Sequence, residues 1–238
     1  MAQDHVNGDL LFAGNEFDLF VTVDGGRRRV QLRGGLPTVQ VRDLAVQRPE
    51  TELVLGTFGR SFYVLNDYSP LREMSAQALA EEARVFPLRD ASLYNVLGQQ
   101  QAVESNWAAA NPPYGAVITD HVAQPQPADT RLVLTITDAS GRTIRQLDGR
   151  DAGNCIPQTP GVHRVAWDLR ADAPPPAPAA APGAEGGQAG GGFSGSGGVP
   201  HGPVVEPGSY RATLGRKTGD TVKPISPAQT FAVVRIPQ

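Results

Sequence analysis

The sequence predicts an all-β chain: a partial β-propeller of about two incomplete blades over 1–70, a connector with one short helix over 71–107, and a β-sandwich over 108–238. Three observations predict it. A segment near the N-terminus repeats without gaps at an offset of 43 positions, inside the roughly 40–45-residue period of four-stranded blades. After Asn111 a series of short alternating strands begins, separated by turn chemistry. Between the two lies a single helix-forming stretch.

The repeat aligns Asp9-Leu10-Leu11-Phe12-Ala13-Gly14 with Glu52-Leu53-Val54-Leu55-Gly56-Thr57. At the same offset Leu19-Phe20-Val21 falls on Phe62-Tyr63-Val64, and Asp24 falls on Asp67. Each copy reads as two apolar strands joined by a tight turn, Gly14-Asn15-Glu16 in the first and Phe58-Gly59-Arg60 in the second. Val39 to Val46 alternates with period two and precedes the second copy. Residues up to about Asp67 therefore hold strands two, three and four of one blade, then strands one, two and three of the next. Gly34-Gly35-Leu36-Pro37 marks the crossing between them.

The first copy ends Thr22-Val23-Asp24-Gly25-Gly26. An Asp here accepts backbone N–H groups of a turn, and Gly supplies positive φ. The segment resembles the Asp-box of bacterial neuraminidase-type (BNR) repeats, with Thr22, Asp24 and Gly26 matching; Arg28 and Arg29 stand where that family has Thr and an aromatic. The resemblance implies a structural rim turn in place of a catalytic carboxylate. Leu53 to Asp67, with Thr57-Phe58-Gly59-Arg60-Ser61-Phe62, looks like the last-blade run of sortilin-like BNR propellers, often labelled glycosyl hydrolases. Phe58 replaces that family's His.

Ser75 to Ala83 is rich in Ala and Glu, with Ser75 placed to cap a helix. Val85 to Trp107 has weak patterning and reads as a partly ordered linker. Candidate strands then follow at 116–122, 131–137, 143–147, 163–168, 209–214 and 230–234. The Pro/Ala run from Ala173 and the Gly-rich run to about 203 cannot bury enough apolar surface to offset ordering entropy, and read as a disordered loop at 173–203. About one hundred residues remain, the size of a seven-stranded sandwich. Asn111-Pro112-Pro113, Asp138-Ala139-Ser140-Gly141, Trp167-Asp168-Leu169-Arg170 and Pro207-Gly208-Ser209-Tyr210 are similar to the FlgD-like Ig-like domain that follows the propeller in the same family. Trp167 reads as a core plug between sheets, with a ligand platform as the alternative.

Composition limits the chemistry. The net charge of −3 supplies no basic field for nucleic acid, and no apolar run reaches the length of a membrane span. Cys155 is the only cysteine, which excludes a disulfide framework and a Cys-type zinc site. His5, His121, His163 and His201 stand apart without metal-ligand spacing. Asp138, Ser140 and Asp148 fit either hairpin chemistry or a turn-type Ca²⁺ site. No cofactor, metal or catalytic residue is assigned.

The candidate ligand contacts are Arg60, Tyr63, Asp67 and Tyr68, all in the second copy. The expectation is a non-catalytic C-terminal portion of an exported (extracellular or periplasmic) propeller protein, its further blades and export signal preceding Met1. It would bind a glycan or protein ligand, or serve as scaffold. The alternative is part of a sialidase-like glycoside hydrolase whose catalytic blades lie upstream.

Overall fold

The computed structural model describes residues 1–94, 112–148, 156–173 and 201–236. Cys155 and most of the segment read as a disordered loop lie outside the described residues. Within them the regular structure is almost entirely β, as expected, with two short 3-10 turns besides, and the strands fall into sheets.

The first sheet holds β1 (Ala2–Gln3), β2 (Leu11–Gly14), β3 (Leu19–Thr22) and β4 (Val30–Gln31), in that spatial order. The second holds β5 (Val41–Gln47), β6 (Glu52–Thr57) and β7 (Phe62–Leu65). Sheet one was expected to begin at its second strand; instead β1 supplies a two-residue first strand, pairing Ala2 with Phe12.

The hydrogen-bond phase of the two hairpins fixes how they correspond. In sheet one the Asn15 N–H donates to the Asp18 carbonyl at 3.0 Å. Because bonded and non-bonded pairs alternate along an antiparallel ladder, Phe12–Val21 and Gly14–Leu19 are non-bonded pairs. In sheet two the Thr57 N–H donates to the Ser61 carbonyl at 3.1 Å, which makes Val54–Val64 and Gly56–Phe62 the non-bonded pairs. So β3 maps onto β7 at the expected offset of 43, whereas β2 maps onto β6 at 42 and sets Gly14 on Gly56. The longer turn at 57–61 absorbs the extra residue, which a gapless alignment conceals.

This correspondence decides the packing. The buried residues of sheet one, Phe12, Leu19 and Val21, belong to non-bonded pairs; those of sheet two, Leu53 and Leu55, belong to bonded pairs. Side-chain direction and N–H direction alternate together along a strand. The two sheets therefore turn opposite faces into their shared core, the front of sheet one against the back of sheet two. Tyr68, Val41 and Leu10 complete that core. At Gly14 the sheets touch so closely that an added Cβ would lie 2.6 Å from the Val41 side chain.

Two 3-10 turns follow, Ser69–Glu73 and Ala78–Ala80. The helix expected over 75–83 is only the second of these. Ser75 does cap it, its Oγ accepting the Ala78 N–H at 3.1 Å. Glu81 then turns to extended backbone, because β8 (Ala83–Val85) is drawn into a ladder with residues 120–122. A second short strand, β9 (Ala91–Leu93), also lies in the segment read as linker.

Both belong to the sandwich. One of its sheets runs β13 (Gly161–Trp167), β10 (Ala116–Val122), β8. The other runs β12 (Thr143–Leu147), β11 (Thr130–Asp138), β16 (Gly208–Thr218), β18 (Gln229–Arg235), β9, with β17 (Thr221–Pro224) also on β16. β9 pairs parallel to β18 and the remaining ladders are antiparallel. Leu132, Leu134 and Ile136 point one way from β11 into the core, as their alternation required. Trp167 is fully buried between Tyr210 and Phe231 and donates its indole N–H to the Arg170 carbonyl at 2.8 Å. It is the core plug the sequence suggested. β14 (Arg170–Asp172) pairs with β15 (His201–Val204), so the ends of the Pro/Ala/Gly-rich segment are joined in a ladder.

Candidate functional site

The outer face of the β13–β10 sheet abuts the two N-terminal sheets, and a cavity of about 540 Å³ lies between them. Its apolar wall comes from Leu19, Leu32, Leu55, Leu71 and Val162, with Tyr63, Val64 and Leu65 of β7 along one side. Arg33, Arg164, Asp67 and Thr119 supply its polar groups. That volume and balance suit a small apolar group held by a few polar contacts.

Three of the four candidate ligand contacts, Tyr63, Asp67 and Tyr68, line this cavity. Arg60 does not; it sits exposed in the turn between β6 and β7.

Tyr68 is committed elsewhere. Its hydroxyl donates to Asp4 Oδ1 at 2.8 Å, and its ring meets Phe12 edge-on at 5.0 Å. Burial, then the Asp4 carboxylate, pushes the phenol up to about 12. It remains a neutral hydrogen-bond donor. Asp4 also accepts Arg72 Nε and Nη2, both at 2.9 Å, and the backbone N–H groups of Val6 and Asn7. Burial alone would raise the Asp4 pKa; the Arg72 hydrogen bonds, the Asn7 N–H and the Tyr68 hydroxyl outweigh it and hold the carboxyl well below the usual range. No sequence motif announced this knot, since Asp4 and Arg72 are 68 positions apart.

Asp67 is likewise engaged. It sits at φ +44°, and its Oδ1 accepts the Ser69 N–H at 3.2 Å and the Ser69 hydroxyl at 2.6 Å. Arg89 Nε lies 3.4 Å from Oδ2. Arg89 also bonds Glu50 at its carbonyl and carboxylate, so it clamps the connector to sheet two. Arg164 of β13 reaches across to donate to the Asn66 carbonyl at 2.8 Å. These contacts fix the walls of the cavity.

Thr22, Asp24 and Gly26 form a hydrogen-bonded turn. The Thr22 hydroxyl donates to Asp24 Oδ1 at 2.8 Å, and Gly26 N–H donates to Thr22 Oγ1 at 2.9 Å. Arg28 N–H donates to Asp24 at 2.9 Å, and that bond, followed by the Thr22 hydroxyl, lowers the Asp24 pKa. Gly25 and Gly26 carry the positive φ the turn needs.

A second polar group lies in the sandwich. Asp120 is fully buried on β10, its Oδ2 3.2 Å from Nδ1 of His163. Burial raises its pKa and the contact with His163 partly offsets that. Burial also lowers the pKa of the neighbouring His121, which faces the opposite side of the strand. Asp138 accepts from Ser140 and Arg142 within its own hairpin, which accounts for its depressed pKa as turn chemistry. Among the described residues no group of three or more His, Cys, Asp or Glu is arranged to hold a metal ion, and no helix is long and apolar enough to cross a membrane.

No protein family, curated protein or solved structure matches this chain.

Proposed function

We propose that the chain is a non-catalytic binding and scaffold module of an exported protein, built from blade-type sheets of a BNR-like propeller and a FlgD-like, Ig-like sandwich, and that its ligand is a protein surface. One observation carries this reading. The front of sheet one is covered by the back of sheet two, and among the described residues the corresponding front of sheet two is left bare. Its centre is apolar: Val54 and Val64 stand opposite each other on β6 and β7, with Ala45 beyond Val54 on β5, while Asp43, Gln47 and Glu52 lie on the same face toward its rim. Phe62 is 67% and Val64 40% exposed. Front-to-back stacking is how propeller blades bury such faces, and an uncovered patch of this kind marks an interaction surface. The occupant proposed is a further sheet of the same kind, presenting its back.

The engaged states of Asp67 and Tyr68 support binding over glycoside hydrolysis, which needs two carboxylates converging on one bond. Sedimentation velocity over a concentration series tests the reading. The chain should associate head to tail, since its own sheet one offers a half-buried back at Leu11, Ala13 and Phe20. Ala45→Asp should abolish that association. Turnover of fluorogenic sialosides or glycosides by the purified chain would contradict the proposal.

A further inference from the structure

The geometry points to a second binding site: the free edge of β7 and the cavity beside it take an extended, apolar segment of a partner polypeptide as an added strand. In sheet one β4 lies beside β3, with Val30 opposite Val21, Gln31 opposite Phe20, and the Leu32 N–H donating to the Leu19 carbonyl at 2.8 Å. The equivalents on β7 are Val64, Tyr63 and Phe62. Among the described residues β7 pairs only with β6, so sheet two has no counterpart of β4. The chain instead leaves β7 through Asp67 into the first 3-10 turn.

The ladder phase shows which groups face the open edge. Tyr63 and Leu65 pair with β6 through hydrogen bonds, so the N–H and C=O of Phe62 and Val64 point away from it. Unpaired edge groups of this kind are a template for strand addition. An antiparallel segment would set one residue opposite Val64, the next opposite Tyr63 and the third opposite Phe62. The outer two lie on the front beside exposed apolar side chains. The middle one shares the back with Tyr63, Leu55 and Leu65, which line the cavity, and its side chain enters there.

Charge narrows the partner. Arg33 and Arg164 both line the cavity. The one carboxylate among the lining residues, Asp67, is taken up by Ser69 and Arg89. The segment that fits is a run of three apolar residues flanked by an acidic one. This site shares Phe62 and Val64 with the bare front, whereas Ala45 lies two strands in from the β7 edge.

The test uses fluorescence polarisation of a fluorescein-labelled peptide with Glu-Val-Leu-Val at its centre, against a scrambled control. Val64→Pro removes one outward N–H and leaves the β6 ladder intact, as proline is tolerated on a strand edge. Loss of one such hydrogen bond should weaken binding by about three- to tenfold, with thermal stability unchanged. Leu55→Phe, which fills the cavity, should weaken binding of the Leu-centred peptide and spare a Gly-centred one. Ala45→Asp should leave peptide binding unaltered, separating this site from the front. Equal affinity for wild type and Val64→Pro, or no preference over the scrambled peptide, would overturn the inference. So would self-association that persists in Ala45→Asp and is abolished by Val64→Pro, since a second copy would then occupy the edge.

Discussion

Replacing Asp4 with alanine removes the centre of a buried knot, and the size of the loss follows from what it leaves behind. The Asp4 side chain is fully buried and Arg72 is 19% exposed. Truncation strands a guanidinium that made two bonds to one carboxylate, a tyrosine hydroxyl on the core side of Phe12, and the N–H groups of Val6 and Asn7. Breaking a buried charge pair from one side costs about 3–5 kcal/mol. Arg72's partial exposure lets water reach it, which places the expectation near the lower end, about 3 kcal/mol. For a chain of this size that is a fall of about 6–12 °C in Tm. The sign with pH follows from the depressed carboxyl. Its stabilisation is fully present above the unfolded pKa, about 4, and is lost as pH falls below that. The gap between wild type and Asp4→Ala should therefore narrow in acid. Thermal denaturation of both proteins at neutral and acid pH measures it. A loss under about 1 kcal/mol, the scale of an exposed ion pair, would refute the reasoning, as would a gap that widens in acid.

Two further outcomes follow from the sandwich. Burial raises the Asp120 pKa, so the folded state holds that proton after the unfolded chain has released it. This contribution is present at low pH and fades as pH rises from the unfolded carboxylate value toward neutrality. Asp120→Asn should gain in Tm relative to wild type over that window; a relative loss would mean that the ion pair with His163 outweighs burial. Gly115 sits at φ +103° and an added Cβ would lie 1.9 Å from the Trp167 carbonyl oxygen, so Gly115→Ala should cost at least about 2 kcal/mol by urea denaturation. A change within about 0.5 kcal/mol would show that the Trp167 strand yields freely.

What the sequence disclosed and what it concealed have physical reasons. β10 and β12 lie at the bounds read from the sequence. In β11 the alternation of Leu132, Leu134 and Ile136 marked the face that enters the core, because a strand with one face on a core writes its period into the residues. The turn after β3 was legible because Thr22, Asp24 and Gly26 form a local circuit. β8 and β9 were not, since three residues on either side of Pro87 carry no period and their partners lie far along the chain, at 120–122 and 233–235. The cavity was half legible. Tyr63, Asp67 and Tyr68 stood together in sequence, but Val162 and Arg164 reach it from a strand nearly a hundred positions away. The front-to-back stack was hidden as well. It depends on a one-residue slip between β2 and β6 that only the hydrogen-bond phase reveals.

The most direct test of the account is residue-resolved amide hydrogen exchange along β7. Tyr63 and Leu65, bonded to β6, should exchange slowly, while Phe62 and Val64, facing the open edge, should exchange fast and become protected when the apolar peptide is added. Slow exchange at Phe62 and Val64 in the free chain, or fast exchange at Tyr63 and Leu65, would contradict the ladder phase on which the stacked sheets, the bare front and the added-strand site all depend.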